Sequence, residues 1–424
     1  MLTVEENQML TQTGPGTPMG ELFRRFWLPV MLADEIPSAD CVPKRLRILS
    51  EDLIAFRDSN GEVGIVDAYC PHRGAPLFFG RNEECGLRCV YHGWKFDVNG
   101  VCVDLPNSPE GETYKDKVTI KAYPGIEKGG VIWAYMGPLD RKPPLPQLGF
   151  MDVPASHRYV WRMELECNYF QSMEGDIDSS HVNFLHSVLG DATSNPTVRH
   201  RGNNPADVAG TVPQYVHVKD TEYGVGQVTV VKRADGTQTV NTGNWLMPCF
   251  TLGSRAEGVG QQNIRVPIDD EHCQFYRIRH DLHAPLTEKE LWECKHSQFV
   301  YPPLIPGTFT PEANKHNDYK IDRVMQRNFN YTGIRSFSTQ DTALIEDQRG
   351  PIMDRSDERL VSSDNAIIQI RRRLLGLAMD LMEGKEPEAA SRPSLYQVQN
   401  HIFQLPPGED PVEKAAPFLT VTGT

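Results

Sequence analysis

The sequence predicts an α+β protein in which a small antiparallel β domain precedes a larger domain of mixed helices and strands. The first third of the chain alternates short β-branched runs with turn residues, whereas the later part also carries apolar residues at helical spacing. The 424 residues include 34 glycines and 32 prolines, a content of turn formers that favours β-structure over a helical bundle. This length is sufficient for two or three domains.

Residues 1–43 are predicted to form an N-terminal arm. They contain a run of turn formers, Thr13-Gly-Pro-Gly-Thr-Pro18, followed by a short helical apolar pattern over residues 19–27. We expect this arm to pack against another part of the protein.

Residues 44–140 are predicted to form the small antiparallel β domain. Strand-like runs are separated by Asp58-Ser-Asn-Gly61 and Asp97-Val-Asn-Gly100. Both segments are predicted as hairpin turns, because Asn-Gly readily adopts the positive φ angles that a tight turn needs. The proline-rich segment Arg141-Lys-Pro-Pro-Leu-Pro146 ends this domain, since proline interrupts both helices and strand ladders.

Residues 150–384 are predicted to form the larger domain, and residues 385–424 a C-terminal tail with little periodicity. Apolar and polar residues alternate as in strands over residues 227–233 and 274–280. Helical spacing of apolar residues predicts helices around residues 167–187, 289–298 and 364–382.

Charge and composition exclude several classes of function. The 43 lysines and arginines against 56 aspartates and glutamates give a formal net charge of −13, so no basic surplus is present for nucleic acid. Nine cysteines are too few for a disulfide scaffold, and their odd number favours reduced thiols that can bind metal. The start of the sequence does not resemble a secretory signal, and the longest apolar runs are much shorter than the ~20 residues of a membrane helix. We therefore expect a cytoplasmic enzyme that binds neither nucleic acid nor a membrane.

Two short segments of the predicted β domain each offer one thiol and one imidazole. They are Cys70-Pro-His72-Arg-Gly and Cys89-Val-Tyr-His92-Gly-Trp. Two sulfurs and two nitrogens could hold a tetrahedral zinc, but zinc pairs are usually separated by two to four residues, and Cys-x-His is shorter. The spacing instead favours a binuclear cluster in which the cysteines bind one iron and the histidines the other. The segments resemble those of a Rieske [2Fe–2S] domain, and the resemblance implies that Cys70, His72, Cys89 and His92 bind this cluster.

A second group of candidate ligands lies in the larger domain, in the predicted helix around residues 167–187. Asp178 and His181 are three residues apart and are expected to be neighbours on one helical face. His186 follows His181 by five residues, which rotates it by about 140° around a regular helix, so convergence of both rings requires a helix end or a π-type irregularity. Two histidines and one carboxylate are the usual ligands of non-haem Fe(II) oxygenases. The alternative is a pair of partly buried histidines that bond to the backbone.

Together these segments resemble the oxygenase component of the Rieske non-haem iron oxygenases, in the phthalate dioxygenase-like branch. The resemblance includes the opening Gly14-Pro-Gly-Thr-Pro-Met-Gly-Glu-Leu22 and a later stretch that begins at Gln340-Asp341. It implies a helix-grip (START/Bet v 1-like) fold for the larger domain and a mononuclear Fe(II) held by His181, His186 and Asp341. For Asp341 an alternative is a helix-capping role, because Ser338-Thr-Gln-Asp341 has the pattern of a capping box and other acids lie nearby.

The resemblance also implies how the electrons travel. In this family the cluster of one subunit serves the iron of its neighbour in a trimer, or in stacked trimers, and Asp178 matches the aspartate that bridges a cluster histidine and an iron histidine. The sequence lacks the Gly-x-Gly-x-x-Gly pattern of a dinucleotide site, so a separate NAD(P)H-dependent reductase is the expected electron donor. The alternatives are a Rieske electron-transfer protein or a ligand-binding protein without oxygenase activity.

The resemblance implies an aromatic-acid substrate that reacts with O2 by dioxygenation, hydroxylation or O-demethylation. A carboxylate substrate is best recognised by arginine, whose guanidinium group can bind both carboxylate oxygens. The candidates in the larger domain are Arg199, Arg201, Arg255, Arg265 and Arg335. Asn241, Asn244 and Trp245 are further candidates for the wall of a substrate cavity.

Overall fold

The computed structural model describes residues 2–109, 113–188, 215–233, 235–253 and 259–421. Its helices are α1 (Val4–Thr11), α2 (Pro18–Arg24), α3 (Gly149–Asp152), α4 (Tyr169–Ile177), α5 (Val182–Leu185), α6 (Glu288–His296), α7 (Arg323–Asn328), α8 (Phe337–Ile345), α9 (Asn365–Met382), α10 (Glu388–Ser391) and α11 (Pro411–Ala415). The strands are β1 (Trp27–Leu32), β2 (Lys44–Ile48), β3 (Glu51–Arg57), β4 (Val63–Asp67), β5 (Arg81–Asn82), β6 (Leu87–Arg88), β7 (Lys95–Phe96), β8 (Cys102–Asp104), β9 (Ala122–Lys128), β10 (Val131–Tyr135), β11 (Arg158–Leu165), β12 (Tyr215–Asp220), β13 (Gly224–Lys232), β14 (Gln238–Leu246), β15 (Phe250–Gly253), β16 (Val259–Pro267), β17 (Cys273–Asp281) and β18 (Ile402–Leu405).

The first part of the chain forms two antiparallel sheets. One has six strands in the order β1-β10-β9-β4-β3-β2, and the other has the four short strands β5-β6-β7-β8. Both predicted hairpin turns are confirmed, because the amides of Gly61 and Gly100 donate to the carbonyls of Asp58 and Asp97. The two glycines have φ angles of 83° and 77°, which a side chain would disfavour.

The larger part of the chain is built on one antiparallel sheet in the order β11-β17-β16-β15-β14-β13-β12, with β18 also paired to β14. The long helix α9 lies against β12 and β13, and α4 packs on β15 and β16. The helix has apolar residues at helical spacing, and the buried ones include Ile370 and Leu374. The predicted α+β fold class, with antiparallel sheets before a larger mixed domain, is therefore confirmed.

One predicted helix differs from the structure. Residues 167–187 form two short helices, α4 and α5, because the chain leaves the helical conformation at Asp178, which has a ψ of 116°. The predicted helices around residues 289–298 and 364–382 correspond to α6 and α9. The predicted domain limits stay predictions; β1 lies within residues 1–43 and pairs with β10, and β18 lies within residues 385–424.

A single hydrophobic core extends across the six-stranded and the eight-stranded sheets. It includes Ile48 and Trp133 from the former and Phe250 and Tyr276 from the latter. The rings of Trp133 and Phe250 have centroids 6.4 Å apart, which is within the range of favourable aromatic pairs. A smaller core lies beneath the two Cys–His segments. Within the ranges that the structure describes, no helix combines the length and apolar character that crossing a membrane requires.

Candidate metal centres

The two Cys–His segments form loops of the same construction, the first between β4 and β5 and the second between β6 and β7. In each loop the cysteine amide donates to the carbonyl five residues later, and the glycine four residues after the cysteine donates back to the cysteine carbonyl. The bonds are Cys70 N–Ala75 O (2.9 Å), Gly74 N–Cys70 O (2.9 Å), Cys89 N–Trp94 O (2.8 Å) and Gly93 N–Cys89 O (3.0 Å). Both glycines have positive φ angles, of 68° and 82°. This tight closure holds a cysteine and a histidine at each loop tip.

The loops bring the four predicted cluster residues together. The Nδ1 atoms of His72 and His92 are 3.1 Å apart, and the side chains of Cys70 and Cys89 are both buried. Burial raises the pKa of the Cys70 thiol to about 11, the backbone amide of His72 lowers it in part, and the adjacent Cys89 raises it further. The Cys70 thiol is therefore costly to ionise, and a cation bound by the two sulfurs and the two imidazole nitrogens would offset that cost. These donors fit the cluster predicted from the sequence.

Aromatic rings support the two imidazoles of the loops. The ring of Trp94 stacks on His72 with centroids 4.6 Å apart, and its indole nitrogen donates to Asn107 Oδ1 at 2.8 Å. Tyr91 lies against His92 with a centroid distance of 4.0 Å. These contacts restrict the rotation of both imidazoles, so the Nδ1 atoms remain directed toward each other.

The second site is assembled where α4 ends and α5 begins. Asp178 caps the C-terminus of α4, His181 precedes the first residue of α5, and His186 follows its last residue. The expected helix end between the two histidines is therefore confirmed. Asp178 Oδ2 lies 3.4 Å from His181 Nδ1, but the expectation that one helical face brings them together is wrong. The contact forms across the break between the two helices, where Ser180 donates to Asp178 Oδ1 from both its amide and its hydroxyl.

Helix α8 adds the carboxylate of Asp341 to this site. Asp341 Oδ1 lies 3.0 Å from His186 Nε2 and 3.5 Å from His181 Nε2. The alternative role of Asp341 in a capping box is wrong, because the N-cap of α8 is Ser336, whose hydroxyl accepts from the amide of Thr339. One donor atom from each of His181, His186 and Asp341 lies within 4.8 Å of the others, a spacing at which the three could hold one metal ion.

The electrostatics of the second site favour a cation. Burial opposes ionisation of Asp178, but its bonds from His181 and Ser180 prevail and lower its pKa to about 2. Burial alone would lower the pKa of His181, whereas Asp178 and Asp341 on either side raise it to about 10. The pKa of Asp341 is also lowered, because the adjacent imidazoles of His181 and His186 outweigh the effect of its burial. Two ionised carboxylates beside one imidazole create the negative potential that attracts a divalent cation.

Gln340 is a site residue that sequence reasoning missed. It is 4% exposed, and its Oε1 lies 2.7 Å from His186 Nδ1. His186 Nε2 is buried and has no hydrogen-bond partner, although Asp341 Oδ1 is only 3.0 Å away. A bare imidazole nitrogen close to a carboxylate oxygen is the pattern expected of two ligands that share a metal ion. The residues present therefore fit a mononuclear iron.

The arginines predicted as substrate ligands differ in their surroundings. Arg199, Arg201 and Arg255 lie outside the described residues. Arg335 is exposed, and Arg265 is buried in an ion pair with Asp176 at 2.8 Å.

Sequence reasoning also missed Arg277, which is buried and bonds to Asn263, to the Val300 carbonyl and to Ser338. Burial lowers its pKa. Arg265 and Arg277 line, together with Asp341, a cavity of about 20 Å³, which is enough for one water molecule. The only sign of Arg277 in the sequence is a charged residue within the alternating pattern of β17.

Two of the three residues predicted for a cavity wall share one small cavity. Asn244 and Trp245 line a space of about 20 Å³ between the end of α4, strands β13–β15 and α9. Asn241 lies further along β14, opposite Thr229.

Two families of known proteins match the parts of the chain that carry the two groups of candidate ligands. The family of the Rieske [2Fe-2S] domain matches residues 26–124, and the family described as "LigXa C-terminal domain like" matches residues 134–405. The phthalate 4,5-dioxygenase oxygenase subunit of Pseudomonas putida is 37% identical, over 88% of this chain and 86% of its own length. The 3-chlorobenzoate-3,4-dioxygenase oxygenase subunit of Comamonas testosteroni is 36% identical over 96% of both chains. The 5,5'-dehydrodivanillate O-demethylase oxygenase subunit of a Sphingobium species is 33% identical over 92% of this chain and 84% of its own length.

The fold has a counterpart among solved structures. The structure of dicamba monooxygenase bound to 3,6-dichlorosalicylic acid superimposes with a TM-score of 0.59 at 16% identity, over 85% of this chain and 98% of the other. The fold, the two groups of candidate ligands and the relatives agree on one class of enzyme, which uses a [2Fe–2S] cluster and a mononuclear iron. The chain therefore belongs to the Rieske non-haem iron oxygenases, as an oxygenase subunit of the phthalate dioxygenase-like branch.

Proposed function

We propose that this oxygenase subunit acts on an aromatic acid, which it hydroxylates or dioxygenates or from which it removes an O-methyl group. Three relatives support this substrate class, because their names specify phthalate, 3-chlorobenzoate and dehydrodivanillate. The buried Arg277 supports it as well. This cation lies near Asp341, and its hydrogen-bond partners are neutral groups.

In this proposal Cys70, His72, Cys89 and His92 hold the cluster, and His181, His186 and Asp341 hold the mononuclear iron. The observation that carries the iron assignment is the 3.0 Å approach of His186 Nε2 to Asp341 Oδ1 without a hydrogen bond between them. When bound, the cluster supplies single electrons, and the iron supplies open coordination positions for O2 beside the substrate. The protein itself directs Nε2 of both histidines toward one point and keeps the carboxylate of Asp341 ionised.

Asp178 is proposed to connect the two centres between subunits of a trimer. One of its oxygens accepts from Ser180, and the other faces His181 Nδ1. Its side chain is still 24% exposed, which leaves room for an imidazole from a neighbouring subunit. The loops that carry His72 and His92, with the residues beside them, also expose large apolar side chains, namely Tyr69, Phe79, Val90 and Tyr91, each at least half exposed. A trimer in which these loops dock near Asp178 would cover them.

A separate NAD(P)H-dependent reductase is the proposed electron donor. The four Cys–His donors suit a centre of higher potential than an all-cysteine cluster, so a low-potential reductase can reduce it. The cytoplasmic location expected from the free cysteines also stays a prediction.

The test of this function is O2 consumption coupled to product formation. The purified chain, with its iron and cluster and a generic reductase, is supplied with NADH and a panel of phthalates, benzoates and methoxybenzoates. We expect at least one acid to give a hydroxylated, dihydrodiol or demethylated product in proportion to the O2 consumed. The Asp341→Asn variant should form no product under the same conditions. Oxygen use without product for every acid would refute the proposed substrate class.

A further inference from the structure

The buried amide of Gln340 can adopt only one orientation. Its Nε2 lies 2.7 Å from the carbonyl oxygen of Ile334, and its Oε1 lies 2.7 Å from His186 Nδ1. A carbonyl oxygen only accepts hydrogen bonds, so the amide NH2 group must face Ile334. The side-chain carbonyl of Gln340 therefore faces His186, where it can only accept.

This orientation determines which nitrogen of His186 carries the proton. Because Gln340 Oε1 accepts, Nδ1 must be the N–H donor, and Nε2 then keeps its lone pair in the neutral ring. That lone pair faces Asp341 Oδ1 at 3.0 Å. Two acceptors at this distance repel each other unless a cation lies between them. The tautomer that Gln340 imposes is thus the one in which Nε2 can bind a metal ion.

The two imidazoles of the site have partners of different charge. His181 Nδ1 faces the carboxylate of Asp178, whereas His186 Nδ1 faces a neutral amide. A carboxylate next to His186 would add a third negative charge near the metal, and the amide fixes the tautomer without that charge. Helix α8 provides this amide together with Asp341, the adjacent residue. It also provides the ring of Phe337, which stacks on His186 with centroids 3.6 Å apart.

We infer that Gln340 is a positioning residue for the mononuclear iron: its side-chain carbonyl holds His186 in the tautomer and orientation that present Nε2 to the metal. The inference rests on the proposed role of His186 as an iron ligand. It adds a residue that touches neither iron nor substrate and acts through His186 alone.

The experiment measures metal binding directly. Protein that retains its cluster but has been stripped of mononuclear iron is titrated with Co(II), and the affinity and the visible absorption of the bound cobalt are recorded. The Gln340→Leu variant should bind Co(II) about 10- to 100-fold more weakly, the usual effect of losing the hydrogen-bond partner of a metal-bound histidine. The Gln340→Glu variant keeps an oxygen acceptor for Nδ1–H and adds a negative charge, so it should bind Co(II) at least as tightly as the native protein does.

Gln171 offers a matched control. It is also a buried glutamine whose amide donates to a main-chain carbonyl of α8, at Ile345, and whose oxygen accepts from the amide of Met353. The Gln171→Leu variant removes the same group without touching a histidine, so it should lower the thermal stability but leave Co(II) affinity and spectrum unchanged. Equal losses of affinity in Gln171→Leu and Gln340→Leu would overturn the inference, because the effect would then be general destabilisation.

The His186→Ala variant separates this inference from the proposed iron site. If His186→Ala abolishes tight Co(II) binding while Gln340→Leu binds as the native protein does, the ligand assignment stands and the role of Gln340 is refuted. If His186→Ala binds Co(II) with native affinity, His186 is not a ligand, and the proposed site and the inference both fail.

Discussion

The two metal centres of this protein are built in different ways. The cluster loops lie within one stretch of about 25 residues and repeat one hydrogen-bonded turn, so each loop is defined by its own sequence. The iron site combines residues 178–186 with helix α8, and the contact between His186 and Gln340 joins residues 154 positions apart. The geometry of a local motif is determined by its own sequence, whereas the geometry of a site assembled from distant segments depends on the packing of the whole domain.

The surroundings of the histidines differ as well. His72 and His92 are partly exposed and are supported by aromatic rings, as expected of a centre that exchanges electrons with a partner at the surface. His181 and His186 are held by hydrogen-bonding or charged side chains, and the side chain of His186 is only 3% exposed. Such enclosure fixes the ligands and limits the access of water. If the two centres are built independently, a substitution that removes the metal of one centre should leave the other centre intact.

The Cys89→Ser variant should have the largest effect. It removes one buried cluster ligand, so the visible spectrum of the cluster and all reductase-dependent turnover should be lost. The mononuclear iron, measured by metal analysis and Co(II) binding, should remain. The Cys85→Ser variant is the control, because Cys85 lies in the same part of the sheet and is not a proposed ligand. Loss of mononuclear iron in Cys89→Ser would show that the two centres depend on each other.

The Asp341→Asn variant makes the converse change. It removes the negative charge of a proposed ligand at nearly constant shape, so iron should be lost and turnover should fall by about 1000-fold or more. The cluster spectrum should stay unchanged. Asp347, an exposed acid shortly after α8, provides the control, and Asp347→Asn should keep both iron and activity. Full iron content in Asp341→Asn would contradict the proposed ligand set.

The Asp178→Asn variant tests the connection between the centres. Cluster and iron should both be present, whereas turnover should fall by about 10- to 100-fold, because the amide cannot replace a carboxylate that holds a ligand histidine. Rapid mixing of the reduced protein with substrate and O2 would locate the slow step in the oxidation of the cluster. Undiminished turnover would refute the bridging role.

The Glu174→Gln variant should have the smallest effect on turnover, within about twofold, although it disturbs a buried group of charges. Glu174 pairs with Arg355 at 2.8 Å and with Arg371 at 2.6 Å. Removal of the carboxylate leaves the positive charges of Arg355 and Arg371 buried without this negative partner. Unfolding in urea should therefore show that the free energy of unfolding falls by about 3 to 5 kcal/mol.

This variant also changes the dependence of stability on pH. Burial alone would raise the pKa of Glu174, but the two arginines lower it below its ordinary value of 4.5. A carboxyl whose pKa is lower in the folded protein stabilises the fold above the unfolded pKa and loses this contribution as the pH falls. The native protein should therefore lose more stability than Glu174→Gln when unfolding is measured at successively lower pH below about 4.5. Parallel curves would refute this role of Glu174.

The sequence predicted features that depend on local spacing and missed those that depend on packing. The hairpin turns at Gly61 and Gly100 and the helix end between His181 and His186 follow from backbone geometry, so they could be predicted. The predicted capping box of Ser338 and Asp341 is wrong because the helix begins two residues before it, with Ser336 as the N-cap. The sequence pattern alone does not decide which of the two serines caps the helix.

The roles of Gln340 and Arg277 could not be predicted either, because their contacts come from segments far away in the chain. No local pattern distinguishes a glutamine that orients a metal-binding histidine from a glutamine that only occupies a position in a helix. Arg277 has the same difficulty, since the neutral groups that surround it belong to β16, to α8 and to the segment after α6.

The hydrophobic core that joins Trp133 to Phe250 has a consequence for the folding of the chain. Domains with separate cores unfold separately, whereas domains that share a core lose their packing together. We expect calorimetry of the complete chain to show one main heat-absorption peak. Loss of the two sheets as one cooperative unit would also mean that the iron site keeps a fixed spacing, without a hinge, to the six-stranded sheet on which the core beneath the cluster loops packs.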